Sequence, residues 1–530
     1  MASGTARTRR RSSRRAGQGS HSPSLAAQLR RISPAGWIAL GACVIALALA
    51  LQTLQGPSND YDEGVYWQSL RAMADGHSLF SSVFSSQPPL FLLSIYPFYM
   101  LFGQSLGAAR IALIVFSVAG VAGMYVVGRA LGHRAIGAVA CLLLALDPLY
   151  EHGAHTLQAE LPSVALQIWA VACAALAMRA SGRRRTWLAV GSGVLLGCAL
   201  LIKLFAIVAL VPIVLYLSVP LARRWLDKSG SLRWPSRTEF WDGLRRVAPT
   251  FGWLAAGLFA AIVIILLPYI GRLGAVYDQV VRFHLAAAQK DSHTLLDNLQ
   301  LIGASLRDAR LVFLAVPAIV VVAWRRMWVS APLILWALAD FITLLRQQPL
   351  LGHHIVLLSP AMMLIIGCGI YAMWQAFAEP SRQRLALTVT LVLLVVMCFA
   401  GLALNWTQNV AANAPLPART LSMALALQSV SAPNEVVLSD DQYVAALANR
   451  DVPPQLVDTS AVRITSGYLT ASQLEDYITR NRVHVILFAS GRFDLLPGFR
   501  DWVASRYTQV TTFDQNGALF LLEPISNPPV

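Results

Sequence analysis

Residues 36–55, GWIALGACVIALALALQTLQ, carry no charge, and a short step later the chain reads Asp60-Tyr61-Asp62-Glu63-Gly64-Val65-Tyr66-Trp67. An uncharged run of about 20 residues crosses roughly 30 Å of hydrocarbon as a helix, the form in which backbone polar groups pair internally. No Asp or Glu precedes Asp60. The first acids therefore stand where the chain leaves a membrane, which points to chemistry at a membrane surface.

The rest of the chain repeats that apolar run. Hydrophobic residues make up 56% of the sequence and charged residues 13%, with a mean hydropathy of +0.56. These values lie far from soluble globular averages and describe a polytopic α-helical membrane protein. About eleven spans are expected, at 36–55, 106–127, 134–150, 161–179, 187–203, 204–220, 250–270, 311–323, 329–345, 354–375 and 386–405. The fifth and sixth form one apolar stretch. They divide at Lys203, because a lysine in mid-membrane costs roughly 3 kcal/mol, and a hairpin there brings the charge to the surface.

Positive residues in short loops set orientation. The tail 1–35 carries Arg7, Arg9, Arg10, Arg11, Arg14, Arg15, Arg30 and Arg31 and no acid, so it is expected in the cytoplasm. Counting crossings from there, every inner loop is basic: Arg129 and Arg134; Arg179 and Arg183 to Arg185; Arg223 to Arg246; Arg325 and Arg326; Arg382 and Arg384. Loops 56–105, 151–160, 271–310 and 346–353 fall outside, as does the C-terminal region. The net charge of +15 then follows from topology and anionic head groups, not from a nucleic-acid partner. The first run is too long for a cleaved signal and lacks a cleavage site. The six cysteines fall within spans without metal-type spacing and read as packing residues. The aromatic segment Phe91 to Phe102 is expected along the interface, since a crossing there would invert every later loop.

Residues 406–530 change character. Short apolar runs at 434–439 and 483–488 read as strands, 471–482 and 493–507 as helices, and 509–513 with 518–523 as a hairpin turning at Asn516-Gly517. An extracytoplasmic α/β domain of about 120 residues is expected. Asp440 and Asp441 end its first strand, where ligands bind in some α/β sheets but where helix capping is commoner.

Three further segments join the first acidic cluster in a pattern: Arg71-Ala72-Met73-Ala74-Asp75-Gly76, Gln87-Pro88-Pro89-Leu90, and Phe102-Gly103 with Ala108-Ala109-Arg110. In order and spacing this resembles the lipid-dependent GT-C glycosyltransferases related to protein O-mannosyltransferases and aminoarabinose transferases. Weaker similarity continues through Ala145-Leu146-Asp147-Pro148, Gln158-Ala159-Glu160-Leu161, Leu200-Leu201-Ile202-Lys203 and His353-His354 to Pro360. The resemblance spans 36–405 and marks 56–105 as the catalytic outer loop. It implies transfer of a sugar from a polyprenyl-phosphate carrier to a lipid, glycan or protein acceptor on the outer face of the cell membrane.

Such a transfer, with inversion, needs a base for the acceptor proton and cations for the departing phosphate. Asp62 is the candidate base, with Glu63 as runner-up and Glu160 positioning the acceptor or holding Asp62. An isolated loop acid is ordinarily solvated surface; the surrounding motif weighs against that for Asp62. Lys203, Arg110 and Arg346 are the phosphate candidates, against snorkelling to head groups as the plainer reading. Tyr66, Gln87, His353 and His354 are expected to line the cavity. Several relatives with this pattern have a basic residue where Gln87 stands, and an amide can hydrogen-bond phosphate but cannot neutralise it. No particular cofactor is called for; a divalent metal held by Asp62, Glu160 and a histidine is the less favoured reading, since adjacent histidines point apart on a helix. The alternative function is a transporter or flippase of lipid-linked substrates, which would place charges at mid-membrane and show repeated halves.

Overall fold

The computed structural model describes residues 33–57, 60–222, 236–376, 380–433 and 435–522. The basic tail up to Arg31 and the arginines within 223–235 lie outside the described residues.

Each of the eleven expected spans coincides with helix. The first two are Pro34–Gln52 and Leu106–Leu131. The third is broken: Arg134–Ala145 and Pro148–His155 meet at 59°, where Pro148 supplies no N–H to continue the helix. Glu160–Ala177, Gly182–Leu200, Arg237–Leu266, Val312–Trp324, Ala331–Arg346 and Pro380–Ala412 follow. The sixth and tenth spans open with tight 3₁₀ turns, Leu204–Ala209 before Leu210–Ala222 and Gly352–Leu358 before Ser359–Ala376. Among the described residues eight helices are long and apolar enough to cross a membrane, nine if the bent pair is one span. Gly182–Leu200 opens on three arginines, which shortens its apolar part, and Val312–Trp324 is only 13 residues long. The protein is a multi-pass membrane protein.

Close helix packing depends on glycine at one crossing. A Cβ on Gly193 would run into the Leu254 carbonyl, and one on Gly257 into the Val190 carbonyl. The helices Gly182–Leu200 and Arg237–Leu266 thus approach backbone to backbone, as small residues allow in membranes.

Two expected loops are helical. The first holds Tyr61–Ala74 and Leu90–Leu101. Residues 271–310 form short helical pieces up to Phe283–Lys290, then Leu295–Asp308. Both face the C-terminal region, and that side carries the site.

The C-terminal region begins after Ala412, past the expected boundary at 406, with the helix Ala418–Val430. Its sheet consists of β1 (Leu438–Ser439), β2 (Val485–Phe488), β3 (Thr508–Phe513) and β4 (Gly517–Leu521), ordered β1-β2-β4-β3. β1 and β2 are parallel and the remaining pairs antiparallel. The strand expected from 434 is shorter, and Asn434 lies outside the described residues. The hairpin turns differently from expectation. Gln515 and Asn516 take the positive φ values, 58° and 61°, while Gly517 pairs with Phe513; two central residues with φ > 0 give a type I′ turn one position earlier. Asp441 caps the helix Gln442–Leu447, and Asp440 accepts the N–H groups of Ala489, Ser490 and Phe493. These acids organise the sheet end through backbone N–H groups.

This region grips the first-loop helix. Arg71 pairs with Asp451 at 2.6 Å, Gln68 donates to the Arg450 carbonyl at 2.9 Å, and the Arg492 guanidinium lies 3.6 Å over the Tyr61 ring. Gly64 permits the contact, since a Cβ there would meet the backbone of Tyr443.

Candidate active site

Asp62 sits in the first turn of Tyr61–Ala74, where Asp60 caps the helix by accepting the Asp62 N–H at 2.8 Å. Helix N-termini favour negative charge, which suits an acid in this half-buried position. Asp62 opens onto a cavity of about 190 Å³ that Tyr66, Gln87, Lys203, His353 and His354 also line. Burial, then the charges of Asp60 and Asp458, raise its pKa to about 7, against the opposing pull of Lys203. The Tyr66 hydroxyl meets the Gln87 side chain, and its ring packs edge-on against Phe91 at 4.8 Å. The Leu90 N–H donates to the Leu201 carbonyl at 2.9 Å, tying the Pro88-Pro89 turn to the lysine-bearing turn.

Lys203 differs from the surface charge expected of a hairpin. It is 9% exposed and turns inward, with Nζ 2.7 Å from Glu160 Oε1 and 5.6 Å above the Phe205 ring. An acid within reach makes the buried position tenable, where snorkelling would serve an unpaired lysine. Glu160 thus holds Lys203, not Asp62. His354 Nε2 and His353 Nε2 stand 3.5 Å and 3.7 Å from the same oxygen. Among the cavity-lining residues described, Lys203 is the single Lys or Arg.

Glu160, His353 and His354 each offer a ligand atom within 4.8 Å of the others. A divalent ion would be held by this carboxylate and two imidazoles, a plausible donor set, in competition with the Lys203 ammonium. Asp62, expected as a ligand, is not in this cluster.

Glu63 and Arg110 are brought together, but away from this cavity. Arg110 Nε and Nη2 donate to Glu63 Oε1 and Oε2 at 2.8 and 2.7 Å, and Nη1 donates to the carbonyls of Thr53 and Gly56 at 3.1 and 2.6 Å. The Leu157 N–H completes Glu63 at 2.9 Å. The pair pins the end of the first span to the first-loop helix, and its atoms are committed: the geometry leaves neither a free carboxylate for base work nor a guanidinium for phosphate. Arg346, at the end of Ala331–Arg346, is exposed and does not line the cavity, whereas its neighbours Gln347 and Pro349 do.

A second cavity of about 670 Å³ adjoins the first, sharing His353 with it, and Asp60, His152, His155 and Asp308 stand in its wall together with the paired Glu63 and Arg110. Gln158 links their walls, its amide nitrogen donating to Asp60 Oδ2 at 2.8 Å and meeting His353 Nδ1 at 3.1 Å. Sequence reasoning missed several lining residues of the first cavity: Phe283 and His284 from the 271–310 segment, and Asp458 and Ser460 from the C-terminal region. None stands in a motif, and no local signal marks them.

Residues 86–233 match the family model of dolichyl-phosphate-mannose-protein mannosyltransferases. No curated protein matches by sequence. Among solved structures, ArnT from Cupriavidus metallidurans bound to undecaprenyl phosphate is similar with a TM-score of 0.63 at 15% identity, over 93% of this chain and 99% of that one. The archaeal oligosaccharyltransferase AglB from Archaeoglobus fulgidus, in complex with an inhibitory peptide and a dolichol-phosphate, has a TM-score of 0.53 at 13% identity, over 92% of this chain and 75% of that one. Nearly end to end, the chain has the GT-C fold of the membrane glycosyltransferases.

Proposed function

We propose that the protein is an inverting glycosyltransferase that takes a sugar from a polyprenyl-phosphate donor and attaches it to an acceptor hydroxyl. One observation carries the reading: Asp62, a half-buried carboxylate whose pKa is raised to about 7, shares a cavity with the inward-turned Lys203. The fold and the family match support the donor class, because similar structures hold undecaprenyl phosphate or dolichol-phosphate. The transporter alternative draws no comparable support.

In this mechanism the Asp62 carboxylate accepts the proton of the acceptor hydroxyl as its oxygen attacks the anomeric carbon. The bond from that carbon to the phosphate oxygen breaks, and the electron pair leaves with the phosphate. Lys203 faces the charge that builds on the phosphate, where a fixed cation in a dry site acts most strongly. The rise in the Asp62 pKa makes it a better base while leaving a useful ionised fraction at neutral pH. Donor head groups occupy the smaller cavity and the acceptor approaches through the larger one, past Gln158. We infer from the basic character of the inner loops that the N-terminus lies in the cytoplasm and the site and the C-terminal domain on the outer face.

The test is transfer by purified protein from polyprenyl-phosphate sugars. Wild type consumes the donor, and Asp62→Asn, which keeps the shape but not the charge, loses about 10²–10⁴-fold in kcat, the usual scale of general-base catalysis. Full turnover by Asp62→Asn would remove Asp62 from the chemistry. Labelled lipid crossing the bilayer with no sugar transferred would favour the transporter.

A further inference from the structure

The C-terminal domain supplies part of the cavity wall, and one of its acids is only half used by its own turn. Asp458 is 6% exposed and lines the cavity beside Asp62 and Lys203. Its Oδ1 accepts the Ser460 N–H at 2.8 Å, while Oδ2 accepts no hydrogen bond from the described residues. Its neighbour Arg463 donates to the Asp458 backbone carbonyl, not to the carboxylate, and stacks 3.7 Å over Phe84. A buried carboxylate with an open oxygen and no hydrogen-bonded cation costs stability.

The turn that carries Asp458 is held firmly against the catalytic helix. The Thr459 N–H donates to the Tyr61 hydroxyl at 2.9 Å, and Gln442 Nε2 donates to Thr459 Oγ1 at 3.0 Å. Tyr61 precedes Asp62 as Asp458 precedes Thr459, so this contact fixes the two acids across one space. The cavity end of this turn therefore repels phosphate and accepts from hydroxyl groups. The metal-type cluster of Glu160, His353 and His354 does not include Asp458, which argues against a shared ion.

We propose that Asp458 binds the hydroxyl groups of the donor sugar and sets sugar selectivity, making the C-terminal domain a working part of the site. The inference rests on the glycosyl-transfer reading above.

The experiment compares full-length wild type, Asp458→Asn, Asp458→Glu and Gln442→Ala. Each is given a polyprenyl-phosphate sugar and its analogue lacking one hydroxyl. Asp458→Asn keeps an acceptor for the Ser460 N–H, so the turn is retained. It is expected to raise KM for the preferred donor roughly 10- to 100-fold, the scale of one hydrogen bond to a charged group, with kcat changed far less and discrimination against the deoxy analogue reduced.

A second readout separates this role from a merely structural one. The groups acting on Asp62 are Asp60 from its own turn, Glu160 and Lys203 from the membrane helices, and Asp458, with His284, His353 and His354 around the same cavity. Removing the Asp458 charge is expected to move the acid limb of the rate profile to lower pH, and Asp458→Glu to return it. Gln442→Ala loosens the same turn without touching the cavity and should leave the limb in place. Unchanged KM, selectivity and acid limb in Asp458→Asn would overturn the proposal. If wild type itself consumes no polyprenyl-phosphate sugar, the glycosyl-transfer reading falls first.

Discussion

Two buried acid–base pairs flank the first-loop helix, and they are built to opposite ends. In Glu63–Arg110 both carboxylate oxygens and all three guanidinium nitrogens have partners, and the residues are 1% and 3% exposed. In Glu160–Lys203 one contact at 2.7 Å is close, while two imidazoles stand back at 3.5 and 3.7 Å and the lysine faces a cavity. Desolvating ions is recovered only when every remaining lone pair and proton is used. The first pair meets that condition and fixes structure. The second leaves slack, which a site needs if a phosphate is to arrive and leave.

Breaking the closed pair should therefore cost stability and breaking the open one should cost activity. The largest effect is expected from Arg110→Ala, which strands Glu63 as an uncompensated buried charge and destabilises the fold by about 3–5 kcal/mol; thermal melting of the detergent-solubilised protein measures it, and a wild-type midpoint would show the pair is not structural. Lys203→Ala is expected to lower kcat/KM for transfer about 10²–10³-fold, as for one electrostatic group at a developing charge, with a smaller change in melting than Arg110→Ala. The reverse ranking would erase the distinction between the pairs.

The third effect is one of pH. The proposed role of Asp62 as base requires its ionised form, and its pKa is raised to about 7. Below that value kcat/KM should fall about tenfold per pH unit, and above it the rate should level. A profile already flat from pH 5 would mean the carboxylate is ionised throughout and the raised value is not felt in catalysis. The smallest effect belongs to Arg346→Ala. Exposed at a helix end and absent from the cavity wall, it should change KM for the donor by no more than about twofold, consistent with the small worth of exposed charges.

How far these roles were legible in sequence varies with what a role requires. Asp62, Gln87 and Lys203 lie in motifs whose spacing survives local folding: a helix start, a proline turn and a break between spans. Glu63 and Arg110 lie in the same motifs, yet sequence could not tell committed charges from available ones, because commitment is decided by whether Thr53, Gly56 and Leu157 come within hydrogen-bond reach. The 271–310 segment read as loop because its helical pieces are short and interrupted; Leu273–Tyr277 buries no residue, and the segment reaches the cavity through Val280, Phe283, His284 and Ala287.

Hydropathy and charge alone determined the class and the eleven helical segments, since a bilayer demands long apolar runs with paired backbones and leaves few other solutions. The acidic cluster and its company pointed to the catalytic loop. Tertiary structure decided the rest: that Lys203 turns inward to Glu160, that Arg110 is spent on Glu63, and that Asp458, almost four hundred positions from Asp62, shares its cavity. Those outcomes depend on the approach of distant surfaces, permitted at Gly64 and closed by Tyr61 and Thr459. Short-range pattern carries no record of such approaches, because each residue's local preferences are satisfied either way.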